Sequence, residues 1–70
     1  MQSQEEQERQ LLANYEQASR AYALAAAELE QAPRESFAVQ LTHADRAREV
    51  LALARASLDT YRGARRAAGA

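Results

Sequence analysis

Apolar residues and tyrosines recur at alternating intervals of four and three positions along the first half of the chain. The members of this stripe are Leu11, Tyr15, Ala18, Tyr22, Ala25, Leu29 and Ala32. Such spacing places every member on one face of an α-helix and predicts a helix over about residues 3–31. Ser3 followed by Glu6 fits a capping box, which indicates a helix start close to Ser3.

The second half of the chain repeats this pattern and predicts a second helix over about residues 36–63. The members of its stripe are Phe37, Gln40, Ala44, Ala47, Leu51, Ala54, Leu58 and Tyr61. Gly63, with Arg65 and Arg66 close by, is typical of a helix C-terminus. We therefore expect residues 64–70 to form a frayed tail.

A short turn over about residues 32–36 contains Pro33, the only proline of the chain, and separates the two helices. The sequence therefore predicts an all-α fold, a two-helix antiparallel hairpin within a single domain. Folding the chain at Pro33 sets large residues against small ones, such as Tyr22 against Ala44 and Ala47. The expected core consists of Leu11, Tyr15, Tyr22, Leu29, Phe37, Leu51, Leu58 and Tyr61.

The chain of 70 residues has a thin predicted core, because alanine supplies much of its 47% hydrophobic content. Domains of this size are commonly stabilised by disulfides, a metal or a partner chain. Cysteine is absent and His43 is the only histidine, so we expect neither a disulfide nor a metal site, and no cofactor. Dimerisation into a four-helix bundle, or the binding of another helical protein, would complete the fold.

A second apolar stripe lies beside the first one on the second helix, and one leucine of the first helix is placed similarly. Single exposed apolar residues are ordinary in proteins, so these positions are either plain surface or a second interface. The thin core favours the interface. The candidate partner-binding residues are Leu24, Val39, His43, Val50 and Leu53.

Charge divides the chain into two unlike halves, although its net value is only -1. Residues 1–32 carry six Glu against two Arg, and residues 33–70 carry seven Arg against four acids. Three arginines recur every seven residues as an arginine track and are candidate nucleic-acid contacts: Arg48, Arg55 and Arg62. Alternatively, these side chains pair with acids of the first helix such as Glu16 and Glu28. The basic residues are all arginine, which is typical of a GC-rich bacterial genome.

Catalysis has little support in the sequence. The acids of the first helix are spread along a solvated face, and His43 and Asp45 face different ways on a helix. We expect no enzymatic activity and no small-molecule substrate, since a two-helix hairpin has no cavity that could desolvate a general base. We expect a cytoplasmic location without membrane binding, because the N-terminal segment is acidic and no apolar run approaches the length of a membrane span.

The layout of the chain resembles the small co-chaperones of type III secretion needle subunits. The likeness consists of an acidic, Gln-rich first helix, a short turn and a second helix that opens on an aromatic, in Pro33-Arg34-Glu35-Ser36-Phe37. It implies a protein that holds an aggregation-prone needle subunit within a heterotrimer. The alanine-rich seams of a short hairpin are also similar to the plasmid copy-number regulator Rop, a dimer that binds paired RNA loops. The needle subunits themselves share the proline turn, but the charge density of this chain argues against filament packing.

These patterns together predict a small non-enzymatic module for protein–protein interaction, namely an adaptor, a small chaperone or an assembly subunit. The partner would be a second copy of the chain or another helical protein. Two alternatives follow from the resemblances. One is a co-chaperone of a needle subunit, and the other is a dimeric RNA-binding regulator that uses the arginine track.

Overall fold

Two long helices joined by a tight turn form an antiparallel hairpin. The computed structural model describes residues 3–69. In it α1 spans Gln4–Glu30, a single 3-10 turn spans Arg34–Ser36, and α2 spans Phe37–Gly69. The two helices pack against each other, and no strand occurs within residues 3–69. The all-α hairpin predicted from the sequence is confirmed.

The first helix begins at the predicted capping residue. The hydroxyl of Ser3 accepts a hydrogen bond from the backbone N–H of Glu6 at 3.2 Å. Glu5 and Glu6 lie in the first turn, where the helix dipole favours negative charge. These interactions lie within α1 itself and stabilise its first turn locally.

The turn is held by hydrogen bonds within a few residues. Pro33 adopts an extended conformation with φ -66° and ψ 159°, and its ring favours this φ. Its carbonyl accepts the backbone N–H of Ser36 at 3.0 Å and the hydroxyl of Ser36 at 3.3 Å. The chain therefore reverses direction in a defined geometry before α2 begins.

The seam between the helices follows the predicted stripes closely, but it buries little. The buried residues are Ala18, Ala44 and Leu58, with 6%, 6% and 5% of their surfaces exposed. Six of the eight predicted core residues are only half-buried: Leu11, Tyr15, Tyr22, Leu29, Leu51 and Tyr61. The described core is thus as thin as the composition suggested.

The prediction that Phe37 belongs to this core is wrong, since 48% of its surface is exposed. The 3-10 turn rotates the start of α2 so that Ser36 is half-buried instead. Ser36 and Gln40 are four residues apart and share a helix face, which leaves Phe37 about 100° further round the axis. Leu41, one turn further along α2, is likewise exposed, at 41%.

Polar contacts fasten the open end of the hairpin, where α1 begins and α2 ends. The hydroxyl of Tyr61 donates to the backbone carbonyl of Gln4 at 2.6 Å. The carboxylate of Glu8 accepts from Nε of Arg62 at 3.3 Å and from Nη1 of Arg65 at 2.6 Å. Glu8 therefore binds two arginines of α2 that are separated by one helical turn.

Helix α2 continues through Gly69, past Gly63, where the sequence predicted its end. Gly63 does not adopt the positive φ of a helix-terminating glycine. The alanines that follow are strong helix formers, and Arg65 is held by Glu8. The predicted tail is consequently helical as far as Gly69, and Ala70 lies outside the described residues.

The hairpin is a thin rod with extents of 53 × 18 × 16 Å. It exposes 5756 Å² of surface for a mass of 7.7 kDa. A globular monomer of that mass exposes about 4,300 Å², so the hairpin exposes about 1,400 Å² more. Folding removes only about half of the unfolded chain's surface from water, against about 60% in a typical domain of 60 residues.

Candidate protein-interaction surface

The residues predicted to bind a partner are all exposed. Leu24 is 63% exposed, Val39 55%, Val50 51% and Leu53 69%, and His43 is exposed as well. In α2 the positions 39, 43, 50 and 53 follow helical spacing and lie on one flank of the seam. Four of the seven large apolar side chains that are exposed in the described residues therefore share this flank, and the other three, Leu12, Phe37 and Leu41, lie outside it.

Two of these residues, Val50 and Leu53, line a shallow groove of about 510 Å³ along one side of the hairpin. Both helices contribute to the groove. Its full lining is Leu11, Asn14, Gln17, Ala18, Ala21, Val50, Leu53, Ala54 and Ser57. Leu24 and His43 lie on the same flank beyond the groove, in the half nearer the turn.

The groove lining contains no charged side chain. Besides Leu11, Val50 and Leu53, the lining consists of three small alanines and of amide and hydroxyl side chains, namely Ala18, Ala21, Ala54, Asn14, Gln17 and Ser57. We call this groove, together with Leu24, Val39 and His43, the uncharged face. An apolar strip with a polar edge is the usual composition of a protein-binding surface.

On the α1 side of the uncharged face, the sequence analysis identified only Leu24 as a partner-binding residue. Asn14, Gln17 and Ala21 lie in a stripe of their own that continues to Leu24 at spacings of three, four and three. Their small or neutral side chains gave no hydrophobic signal. The regular absence of charge along this stripe, within an otherwise acidic helix, was the signal that could have revealed it.

The arginine track lies on the opposite flank of the seam, where two of its three members bind carboxylates. Arg62 binds Glu8, and Nε of Arg55 lies 3.8 Å from Oδ2 of Asp59 in the next turn of α2. Arg48 and Arg55 border a second hollow of about 350 Å³ beside Tyr15. Arg62 and Arg65 thus pair with an acid of α1, although the acid is Glu8 and not Glu16 or Glu28.

Titratable side chains are absent from the groove lining, and potential metal ligands do not cluster within residues 3–69. No three side chains of His, Cys, Asp or Glu come together as a metal ion would require, as far as residues 3–69 are concerned. His43, the one histidine, lies exposed on the uncharged face.

Neither helix of the described chain has an apolar stretch long enough to cross a membrane.

Comparisons of the chain with protein-family models, with curated proteins and with solved structures found no match.

Proposed function

We propose that this chain is a small, non-enzymatic protein-binding module of the cytoplasm, an adaptor, small chaperone or assembly subunit that binds a helical protein on its uncharged face. The observation that carries the proposal is the uncovered groove between the helices, with Val50 and Leu53 at 51% and 69% exposure. Packing of another helix into it would follow the usual helix-in-groove mode.

The surface area of the hairpin supports the proposal quantitatively. A standard protein interface buries about 800 Å² on each partner. The excess of about 1,400 Å² over a globular monomer is large enough to supply such an interface. Burying 800 Å², of which about 60% is apolar, would contribute on the order of 10 kcal/mol before the entropic costs of association.

The alternatives from the sequence fit within or beside this proposal. A co-chaperone of a needle subunit would be a special case, in which the needle subunit occupies the uncharged face. An RNA-binding regulator would use the opposite flank. It has less support, because Arg55 and Arg62 each lie against a carboxylate that competes with phosphate.

Site-specific photo-crosslinking in the producing cell tests the proposal. A photoreactive amino acid would replace Leu53 in one variant and the neighbouring Ala52 in a control, since Ala52 borders the hollow on the arginine side. We expect crosslinks from position 53 to an identifiable polypeptide, and far fewer from position 52. Crosslinks from position 52 to RNA, or the absence of protein crosslinks from position 53, would overturn the proposal.

A further inference from the structure

The groove lies at the middle of both helices. Gln17 is the central residue of α1 (Gln4–Glu30), Leu53 is the central residue of α2 (Phe37–Gly69), and both line the groove. A second hairpin centred on this groove and turned end for end would overlap the first one along its whole length. The overlap, and with it the buried area, is largest when the occupant is a rod of the same length.

On the uncharged face, exposed Leu24 and the hollow beside Tyr61 lie in different halves, on either side of the central residues Gln17 and Leu53. Leu24 lies seven residues from Gln17 in the direction of the turn, and 63% of its surface is exposed. Gln10 lies seven residues from Gln17 in the other direction, at a hollow of about 220 Å³ lined by Gln7, Gln10, Leu11 and Tyr61. A two-fold axis through the level of Gln17 therefore sets Leu24 of each copy over the hollow of the other copy.

The opposite orientation, with both turns at the same end, gives a poorer fit. In that orientation the exposed residues Leu24 and Val39 of one copy meet the half of the other copy that also carries Leu24 and Val39. The hollows at the open end would then face each other and stay unfilled. Interdigitation of large with small side chains favours the arrangement with turns at opposite ends.

Charge permits this self-association despite the different charges of the two halves of the chain. The groove lining is neutral, so no like charges are brought together at the centre. By helical spacing the nearest charged positions on this flank are Glu6, Glu28 and Arg46. Glu6 and Glu28 lie about 16 Å from Gln17 in opposite directions, so Glu28 of one copy lies level with Glu6 of the other only near the ends of the overlap. These carboxylates are exposed and screened by salt, and Arg46 lies more than about 20 Å from its symmetry mate, beyond the Debye length.

We propose that the occupant of the uncharged face is a second copy of this chain, packed face to face about a two-fold axis near Gln17 and Leu53, with the two turns at opposite ends of a four-helix bundle. This inference rests on the proposed function and names its partner. It also predicts that Leu24 fills the hollow beside Tyr61 of the other copy.

Distance measurement between spin labels tests both the partner and the orientation. The chain has no cysteine, so Arg34→Cys introduces a single labelling site in the exposed turn. With turns at opposite ends we expect a distance of about 50 Å between the two labels, close to the 53 Å length of the hairpin. Turns at the same end would give less than about 25 Å, because stacked helices lie about 10 Å apart. That shorter distance would overturn the proposed arrangement.

A second pair of variants ties the dimer to the uncharged face. Leu53→Glu in the labelled chain should abolish the label-to-label distance and raise the dissociation constant at least a hundredfold. Ala52→Glu, on the other flank, should leave the label-to-label distance unchanged and the dissociation constant within a factor of about three. Equal effects of the two variants would contradict the assignment of the interface.

The failure of this inference can be told apart from failure of the proposed function. If the labelled Arg34→Cys chain, without further substitution, shows no label-to-label distance at any concentration, yet position 53 crosslinks to a different protein in the cell, the second copy is excluded and the binding module stands. If position 53 crosslinks to no protein at all, both are overturned.

Discussion

Leu58 and Leu53 provide a matched pair of leucines on one helix, and replacing each by alanine tests how the hairpin divides its surface. Leu58 is 5% exposed and packs in the seam, whereas Leu53 is 69% exposed on the uncharged face. Both side chains lose the same three heavy-atom positions on truncation. Any difference between the two variants therefore reports the environment and not the chemistry of the substitution.

The expected magnitudes follow from burial. Truncation of a buried leucine to alanine costs about 2–5 kcal/mol. The free energy of unfolding of a 70-residue chain is about 4–10 kcal/mol, so Leu58→Ala should remove a large part of it. Only about a third of the Leu53 surface is covered in the single hairpin, and full burial of a leucine contributes about 1.5–3 kcal/mol. Leu53→Ala should therefore cost under about 1 kcal/mol in the monomer.

Urea unfolding followed by circular dichroism at two protein concentrations, a hundredfold apart, measures both effects. If a second copy covers Leu53, the loss caused by Leu53→Ala should grow with concentration, by up to about 2.7 kcal/mol over this range, because the unmodified chain gains stability from association. Leu58→Ala should be strongly destabilised even at the lower concentration. A smaller loss for Leu58→Ala than for Leu53→Ala at both concentrations would refute the assigned seam.

Three further substitutions test individual features by the same unfolding measurement. Gly63→Ala should stabilise the protein by about 1 kcal/mol, because Gly63 lies inside α2 with open space around an added Cβ. Gly69→Ala, near the end of the helix, should change the stability less. Destabilisation by Gly63→Ala would indicate that the helix ends at Gly63. Gln40→Leu should stabilise the protein by about 1–3 kcal/mol, because the buried Oε1 of Gln40 accepts no hydrogen bond from residues 3–69. A loss of stability would instead show that a donor in the assembled protein binds this oxygen. Glu8→Gln should lower the free energy of unfolding by under about 1 kcal/mol, and by less at high salt. An equal loss for the control Glu5→Gln, one turn earlier in α1, would contradict the two ion pairs at the open end.

Most of the hairpin could be predicted because helical periodicity is a local property of the chain. Every predicted seam position except Phe37 is buried or half-buried, from Leu11 to Ala32 in the first stripe and from Gln40 to Tyr61 in the second. The spacing of apolar residues determines which side of a helix avoids water, and proline identifies the break between the helices. These two signals are sufficient for an antiparallel pair.

The differences arise where geometry depends on more than spacing. The exposure of Phe37 follows from the 3-10 form of the turn, which the stripe of α2 cannot reveal. The continuation of α2 past Gly63 depends on its negative φ and on the contact between Arg65 and Glu8 across the hairpin. Asn14, Gln17 and Ala21 were not recognised as part of a binding surface because neutral polar residues and alanine carry little hydrophobic signal.

The molar mass of the unmodified chain in solution, measured by light scattering on a sizing column over a hundredfold range of concentration, tests the central claim most directly. The claim is that the hairpin is completed by a protein on its uncharged face. We predict a helical species of twice 7.7 kDa that dissociates only on dilution, together with loss of helix as it dissociates. A monomer at every concentration that stays fully helical and melts cooperatively would contradict the account, because the hairpin would then be stable with its uncharged face exposed to water.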